Sequence, residues 1–179
     1  CNGQDGLLKA KKMAQLQAKA LNIKTDEVLV ASTGVIGVPL NIDAIKSGIP
    51  LLTKKLSIEG SEDATEAIMT TDTTLKQIAL EFEIAGKTVI IGATCKGSGM
   101  IEPNMGTMLS FITTDVSISQ ELLDEALKSS VNISYNRVSV DGDTSTNDMV
   151  LIIANGLAEN PIISEKGEDY YKFIEALNY

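Results

Sequence analysis

Apolar and polar positions follow two different periods along this chain, and the period switches several times. From Asp5 to about Leu21, apolar residues fall three and four apart among Lys11, Lys12, Gln15 and Lys19, which predicts an amphipathic surface helix capped by Asp5. The stretch "EVLVASTGVIG" predicts a short buried strand, Val28 to Ala31, running into a Ser-Thr-Gly turn. Helical spacing resumes from Ile42 to Leu56 with Pro50 as a kink or boundary. Ser61, followed by acidic residues, predicts a capped helix to Ile68 that "MTTDTT" ends.

Two apolar runs come next, "IALEFEI" with period-two alternation and "TVIIGATC", joined at Ala85-Gly86-Lys87. They predict a β-hairpin. "TMLSFITTD" predicts a further strand, and Ser119 caps a helix to about Ser129. "DGDTSTND" reads as a polar loop and "MVLIIANG" as a strand, while Ser164 or Glu165 precedes a last helix ending near Leu177. Strands and helices mix throughout, so the expected fold is a layered α/β or α+β one.

Composition narrows the chemistry. With 179 residues, 44% hydrophobic and 22% charged, the chain can bury a core of ordinary size as one globular unit. A formal charge of −9 without any basic block gives no electrostatic footprint for nucleic acid or an anionic membrane. No apolar stretch approaches the roughly 20 residues that cross a bilayer, so a soluble, cytoplasmic protein is expected. Because the chain starts at Cys1 and stops at "IEALNY", it is expected to be a fragment of something longer. Two cysteines, Cys1 and Cys95, make neither a disulfide framework nor a zinc site, and Cys95 reads as a buried small hydrophobe. There is no histidine, which removes every Ser-His-Asp and Cys-His triad and all His-ligated metal sites.

Four segments invite a chemical reading, and each has a plain alternative. "GATCKGSG" lacks the GxxxxGK[ST] spacing of a phosphate cradle. "DGDTSTND" lacks the terminal Glu and the glycine position of an EF-hand, and is either a turn of Asx and hydroxyl hydrogen bonds or support for an active site. "STG", Ser32 to Gly34, is either an ordinary strand exit or a Thr hydroxyl and backbone N–H aimed at a developing negative charge.

The fourth is "KGSGMIEPNMGTML". Thr107 is by default only a β-branched strand residue, but Gly106 leaves the carbonyl before it unshielded, and Gly99 and Pro103 suit a bent backbone. A Thr can attack the carbonyl of its own preceding peptide bond, pass through an ester, and be released by water as a new N-terminus. Its α-amine, with a reference pKa of about 7.7–8.0, then serves as general base for its hydroxyl. This nucleophile needs no histidine.

"ASTGVIG", "AIMTTDT", "KGSGMIEPNMGTMLSFITTD" and "DGDTSTNDMV", in this order and across most of the chain, resemble the motifs of the ornithine acetyltransferase family. That family comprises autoprocessing enzymes of arginine biosynthesis, cut before a Thr in a segment like "PNMATML". The resemblance implies Thr107 as nucleophile and new N-terminus, cleavage between Gly106 and Thr107, and Thr33 with Gly34 as the oxyanion hole. It implies Thr73, Lys96 and Thr107 as substrate contacts. A lysine suits that role because an N-acetylated amino acid presents a carboxylate, although Lys96 is otherwise readable as a solvated loop charge.

The implied reaction passes an acetyl group from N-acetylornithine to glutamate through acetyl-Thr107, with acetyl-CoA as a further donor in some members and no cofactor or metal. The implied fold is an αββα-type sandwich, incomplete in this chain, with residues 1–106 in an α chain, 107–179 in a β chain, and an α2β2 assembly. Gly106 departs from the family, which usually has Ala there, and full members are roughly twice this length. Two rivals use the same residues differently: an autoprocessing amidase or aminopeptidase with water as acceptor, and an inert assembly module whose turns are only structural.

Overall fold

Residues 2–101 and 108–179 are described by a computed structural model. They form two compact units, Cys1–Ala64 and Thr65–Tyr179, and the mixed α/β class that the alternation predicts is what they build.

In the first unit, helix α1 (Gly3–Leu21) begins two residues before the expected cap. Asn2 precedes it, and Asp5 sits in the first turn, where a carboxylate complements the helix dipole and pairs with Lys9 at 2.9 Å. The helix stops at Asn22, whose left-handed backbone lets its N–H return to the Ala18 carbonyl. Ala14 and Ala18 are its buried residues, and the helix packs against α2 (Ile42–Lys54). Asn41 caps α2 by accepting from the Ala44 N–H at 3.1 Å.

Of the two roles expected of Pro50, that of a boundary fails: it lies inside α2, directly after Ile49, the helix's buried residue, and only one backbone donor is missing. Val28 to Ala31 is not a strand: among the described residues the four strands of the sheet all come from the second unit, and this run has no ladder partner there. Helix α3 (Ser61–Ile68) carries the boundary between the units.

The second unit is organised on the expected hairpin. Strands β1 (Lys76–Ile84) and β2 (Lys87–Lys96) pair antiparallel from Ile84↔Lys87 to Lys76↔Cys95. Ala85 and Gly86, with φ of 49° and 74°, form the two-residue turn whose twist matches the flanking strands. Strand β3 (Leu109–Thr114) adds antiparallel to β2, and β4 (Met149–Ala154) adds parallel to β3, giving the order β1-β2-β3-β4. A parallel neighbour needs a long crossover. Helix α4 (Gln120–Ile133) supplies it, capped as expected by Ser119, whose hydroxyl accepts from the Leu122 N–H. The last helix, α5 (Glu168–Asn178), starts after Gly167, a little later than Ser164 or Glu165 suggested.

One sheet face meets α4 and α5. Ile84, Val89, Ile91, Ile112 and Ile152 from the strands pack with Leu122, Ala126, Tyr170 and Phe173 from the helices. Asn160, 5% exposed, ties the crossover to the chain after β4: its amide oxygen accepts from the Ser117 N–H at 2.8 Å, and its NH2 donates to the carbonyls of Ser117 and Pro161. The other face carries Thr94 and Lys96, together with Ile90 and Ile153, which are 46% and 49% exposed. One sheet with one helical layer is thus what the described residues supply of a layered sandwich.

Candidate active site

Strand direction gathers the motifs. β1 starts where β2 ends, β3 starts beside the end of β2 at Lys96↔Leu109, and β4 starts beside β3 at Leu109↔Met149. The "TTDT" turn before β1, "KGSG" after β2, the chain entering β3 and "DGDTSTND" before β4 therefore all lie at one end of the sheet. Nothing in the periodicity of the individual segments states this.

Asp72 joins the first two motifs. Its side chain is fully buried, accepting from Lys76 Nζ at 2.5 Å, from the Gly97 N–H at 2.8 Å and from the Thr70 N–H at 3.3 Å. Burial alone pushes this carboxyl up, but the Lys76 ammonium and the two N–H donors outweigh it and hold the group down at about 2. Beside it, the hydroxyls of Thr71 and Ser98 bond at 2.6 Å. Gly97 has φ 149°, backbone that favours glycine. The segments of Thr73, which is exposed, and Lys96, which is only 4% exposed, are thereby held together. A buried position for Lys96 removes the reading of it as a solvated loop charge.

Aspartates of "DGDTSTND" hold the remaining chain. Asp141 accepts from the Met100 N–H at 2.5 Å and from the Ile101 N–H at 3.0 Å, and these bonds, the Met100 one first, draw its carboxyl below the usual range. Met100 has φ 55°, a left-handed backbone that Asp141 fixes in place. Asp148 Oδ1 accepts from the Met108 N–H at 2.8 Å, and the Met149 N–H donates to the Met108 carbonyl at 3.0 Å. Asp148 Oδ2 is buried and finds no hydrogen bond of full geometry among the described residues, although the Ser145 hydroxyl is near enough to favour the charged form. Burial pushes the Asp148 carboxyl up, against the Met108 N–H, Ser145 and the charge of Lys96. The loop has the Asx and hydroxyl hydrogen bonds of an ordinary turn, Asp143 N–H to Asp141 Oδ1 at 3.3 Å, Asn147 N–H to Ser145 Oγ at 3.1 Å and Thr146 Oγ1 to Asn147 Oδ1 at 2.8 Å, and two of its carboxylates also bond outside it.

Thr107 and Gly106 lie outside the described residues, so the nucleophile and the cleavage bond have no geometry here. Thr33, half-buried, and Gly34, exposed, belong to the first unit, in the irregular chain before the Val35–Val38 turn. A Cβ at Gly34 would meet no atom within 4 Å, so packing does not demand a glycine there. Cys95 is half-buried and its thiol is pushed up by burial, as an inert residue's would be. Among the described residues no cluster of metal-ligating side chains occurs, and no helix is long and apolar enough to cross a membrane. Asp72, Asp141 and Asp148 had no individual signal beyond being Asx residues in turn-rich segments.

A model of the ArgJ family matches residues 1–179. The chain is 54% identical over 177 residues to the arginine biosynthesis bifunctional protein ArgJ of Symbiobacterium thermophilum, covering 99% of this chain and 44% of that protein. It is 55% identical over 179 residues to ArgJ 1 of Clostridium acetobutylicum, covering 100% of this chain and 44% of that one. The chain thus spans a little under half the length of these relatives. A crystal structure of the arginine biosynthesis bifunctional protein ArgJ of Bacillus halodurans is similar at TM-score 0.53 and 43% identity, covering 59% of this chain and 56% of that chain.

Proposed function

The chain belongs to the ArgJ family, and on that premise we propose that it is the nucleophile-bearing part of an acetyltransferase of arginine biosynthesis. The observation that carries this reading is the bracing of the chain on both sides of Thr107. Asp72 and Asp141 hold it upstream at Gly97, Met100 and Ile101, and Asp148 holds it downstream at Met108. A nucleophile that must reach its own preceding carbonyl, and later a substrate, needs its flanks fixed.

Thr107 Oγ1 attacks the Gly106 carbonyl carbon, the C–N bond between the two residues breaks, and water hydrolyses the ester. Residues 1–106 end one chain, and Thr107 opens the other with a free α-amine. That amine takes the Oγ1 proton as Thr107 attacks the acetyl carbonyl of N-acetylornithine, and returns it to the departing ornithine nitrogen. Thr33 and Gly34 donate to the oxyanion. Glutamate then attacks acetyl-Thr107, restoring the hydroxyl and leaving as N-acetylglutamate. Lys96 holds a substrate carboxylate and Thr73 contacts the substrate beside it. The relatives are named as bifunctional, which supports acetyl-CoA as a second donor. The working form is a cytoplasmic α2β2 assembly of the two processed chains.

The test is the intact mass of the full-length protein under denaturing conditions, with T107A alongside. The wild type should separate into two pieces at Gly106–Thr107, and the piece that begins with Thr107 should gain one acetyl group from N-acetylornithine and lose it to glutamate. Loss of the acetyl group to water without glutamate would make the protein an amidase instead. A T107A protein cut like the wild type would sink the reading altogether.

A further inference from the structure

We propose that Asp148 is a positioning residue for Thr107, the anchor that holds the nucleophile from its C-terminal side before and after the cut. The proposal rests on the reading of Thr107 as nucleophile, and on geometry that lies within the described chain.

Met108 is 9% exposed at the entry to β3, and both of its backbone polar groups are taken by the entry to β4: Asp148 Oδ1 receives its N–H at 2.8 Å, and the Met149 N–H reaches its carbonyl at 3.0 Å. Met108 N is the atom bonded to the Thr107 carbonyl carbon, and the α-nitrogen of Thr107 is three covalent bonds away. A peptide unit is planar and stiff, so an acceptor that fixes its N–H also fixes the plane through which the preceding Cα is attached.

The cut changes what holds the nucleophile. Asp72 and Asp141 act at Gly97, Met100 and Ile101, upstream of the Gly106–Thr107 bond. Once that bond is broken they no longer restrain Thr107 through the chain, and the covalent hold passes to Met108 alone. Asp148 therefore matters for self-cleavage and again in every transfer cycle.

The experiment compares Asp148→Ala, Asp148→Asn and Thr107→Ala in the full-length protein. It measures the first-order cleavage rate by intact mass, and kcat and KM for acetyl transfer on fully cleaved enzyme. Asp148→Ala should slow cleavage and lower kcat about ten-fold or more, with KM moving less than about three-fold. Asp148→Asn keeps an oxygen for the Met108 N–H and should restore both to within about three-fold of the wild type. A cleaved Asp148→Ala enzyme with wild-type kcat overturns the proposal, and so does an Asn variant as impaired as the Ala one. If Asp148→Ala does not fold, Asp148→Glu moves the acceptor by one methylene and keeps the charge; wild-type kcat there overturns the proposal equally. A Thr107→Ala protein that still cleaves would instead remove the nucleophile assignment on which the proposal stands.

Discussion

Replacing Asp72 by asparagine removes one negative charge while leaving an oxygen in place for the Gly97 N–H, so the variant imitates the protonated acid. The wild-type carboxyl titrates at about 2 against an ordinary value of 3.8. A difference of a little under two in pKa corresponds to about 2.5 kcal/mol. Lys76, its cationic partner, is 40% exposed in its side chain, so solvent screens part of that, and about 1.5–2 kcal/mol is the better figure. Because the folded-state pKa is depressed, the stabilisation is complete above the unfolded value near pH 4 and is lost as pH falls through about 2. All four tyrosines lie in the Thr65–Tyr179 unit and the chain has no tryptophan, so tyrosine fluorescence during urea unfolding reports that unit alone. The variant should be less stable by about 2 kcal/mol at pH 7, and the gap should shrink to about 0.5 or less near pH 2. An equal gap at both pH values, or none at pH 7, would refute the account of what this charge does.

Three further variants are read by the same assay. Asn160→Ala should cost about 2–3 kcal/mol, since it strips partners from the Ser117 N–H and from two carbonyls at a site 5% exposed. In the hairpin, Ala85→Asn should raise stability by about 0.5–1 kcal/mol and Gly86→Ala lower it by about 1, because φ is 49° and 74° there. No atom lies within 4 Å of a Cβ built at Gly86, so the cost is conformational only; midpoints unchanged in urea would contradict it.

What could be read from the sequence was local. Period-two alternation around Ala85-Gly86 determines a hairpin before any tertiary contact, and Ser119 ahead of a helical stripe determines a cap. Val28 to Ala31 has the same apolar character as a strand but needs a neighbour, and no composition of four residues says whether one is present. Pro50 reads as a kink or boundary because propensity is counted locally, whereas the helix continues past it beside the buried Ile49. The site divides in the same way. Lys96 and Thr73 came from motif resemblance, and the structure brings their segments together through Asp72. The bracing by Asp72, Asp141 and Asp148 spans 25 to 41 positions in the chain, so it depends on strand order and could not be seen in spacing. Thr33 and Gly34 came from the same resemblance and belong to the Cys1–Ala64 unit.

The central ladder between β2 and β3 acquires a different meaning if the chain is cut at Gly106–Thr107. β1 and β2 would then belong to one polypeptide, β3 and β4 to another, and the six pairs from Lys96↔Leu109 to Ile91↔Thr114 would become an intermolecular seam through the middle of a single sheet. Folding before the cut is a first-order event, while refolding after it requires two molecules to meet. The processed protein's stability would then depend on its own concentration, and once unfolded and diluted it would have little route back. Self-cleavage would thus trade equilibrium recovery for persistence, with lifetime governed by how slowly the seam opens.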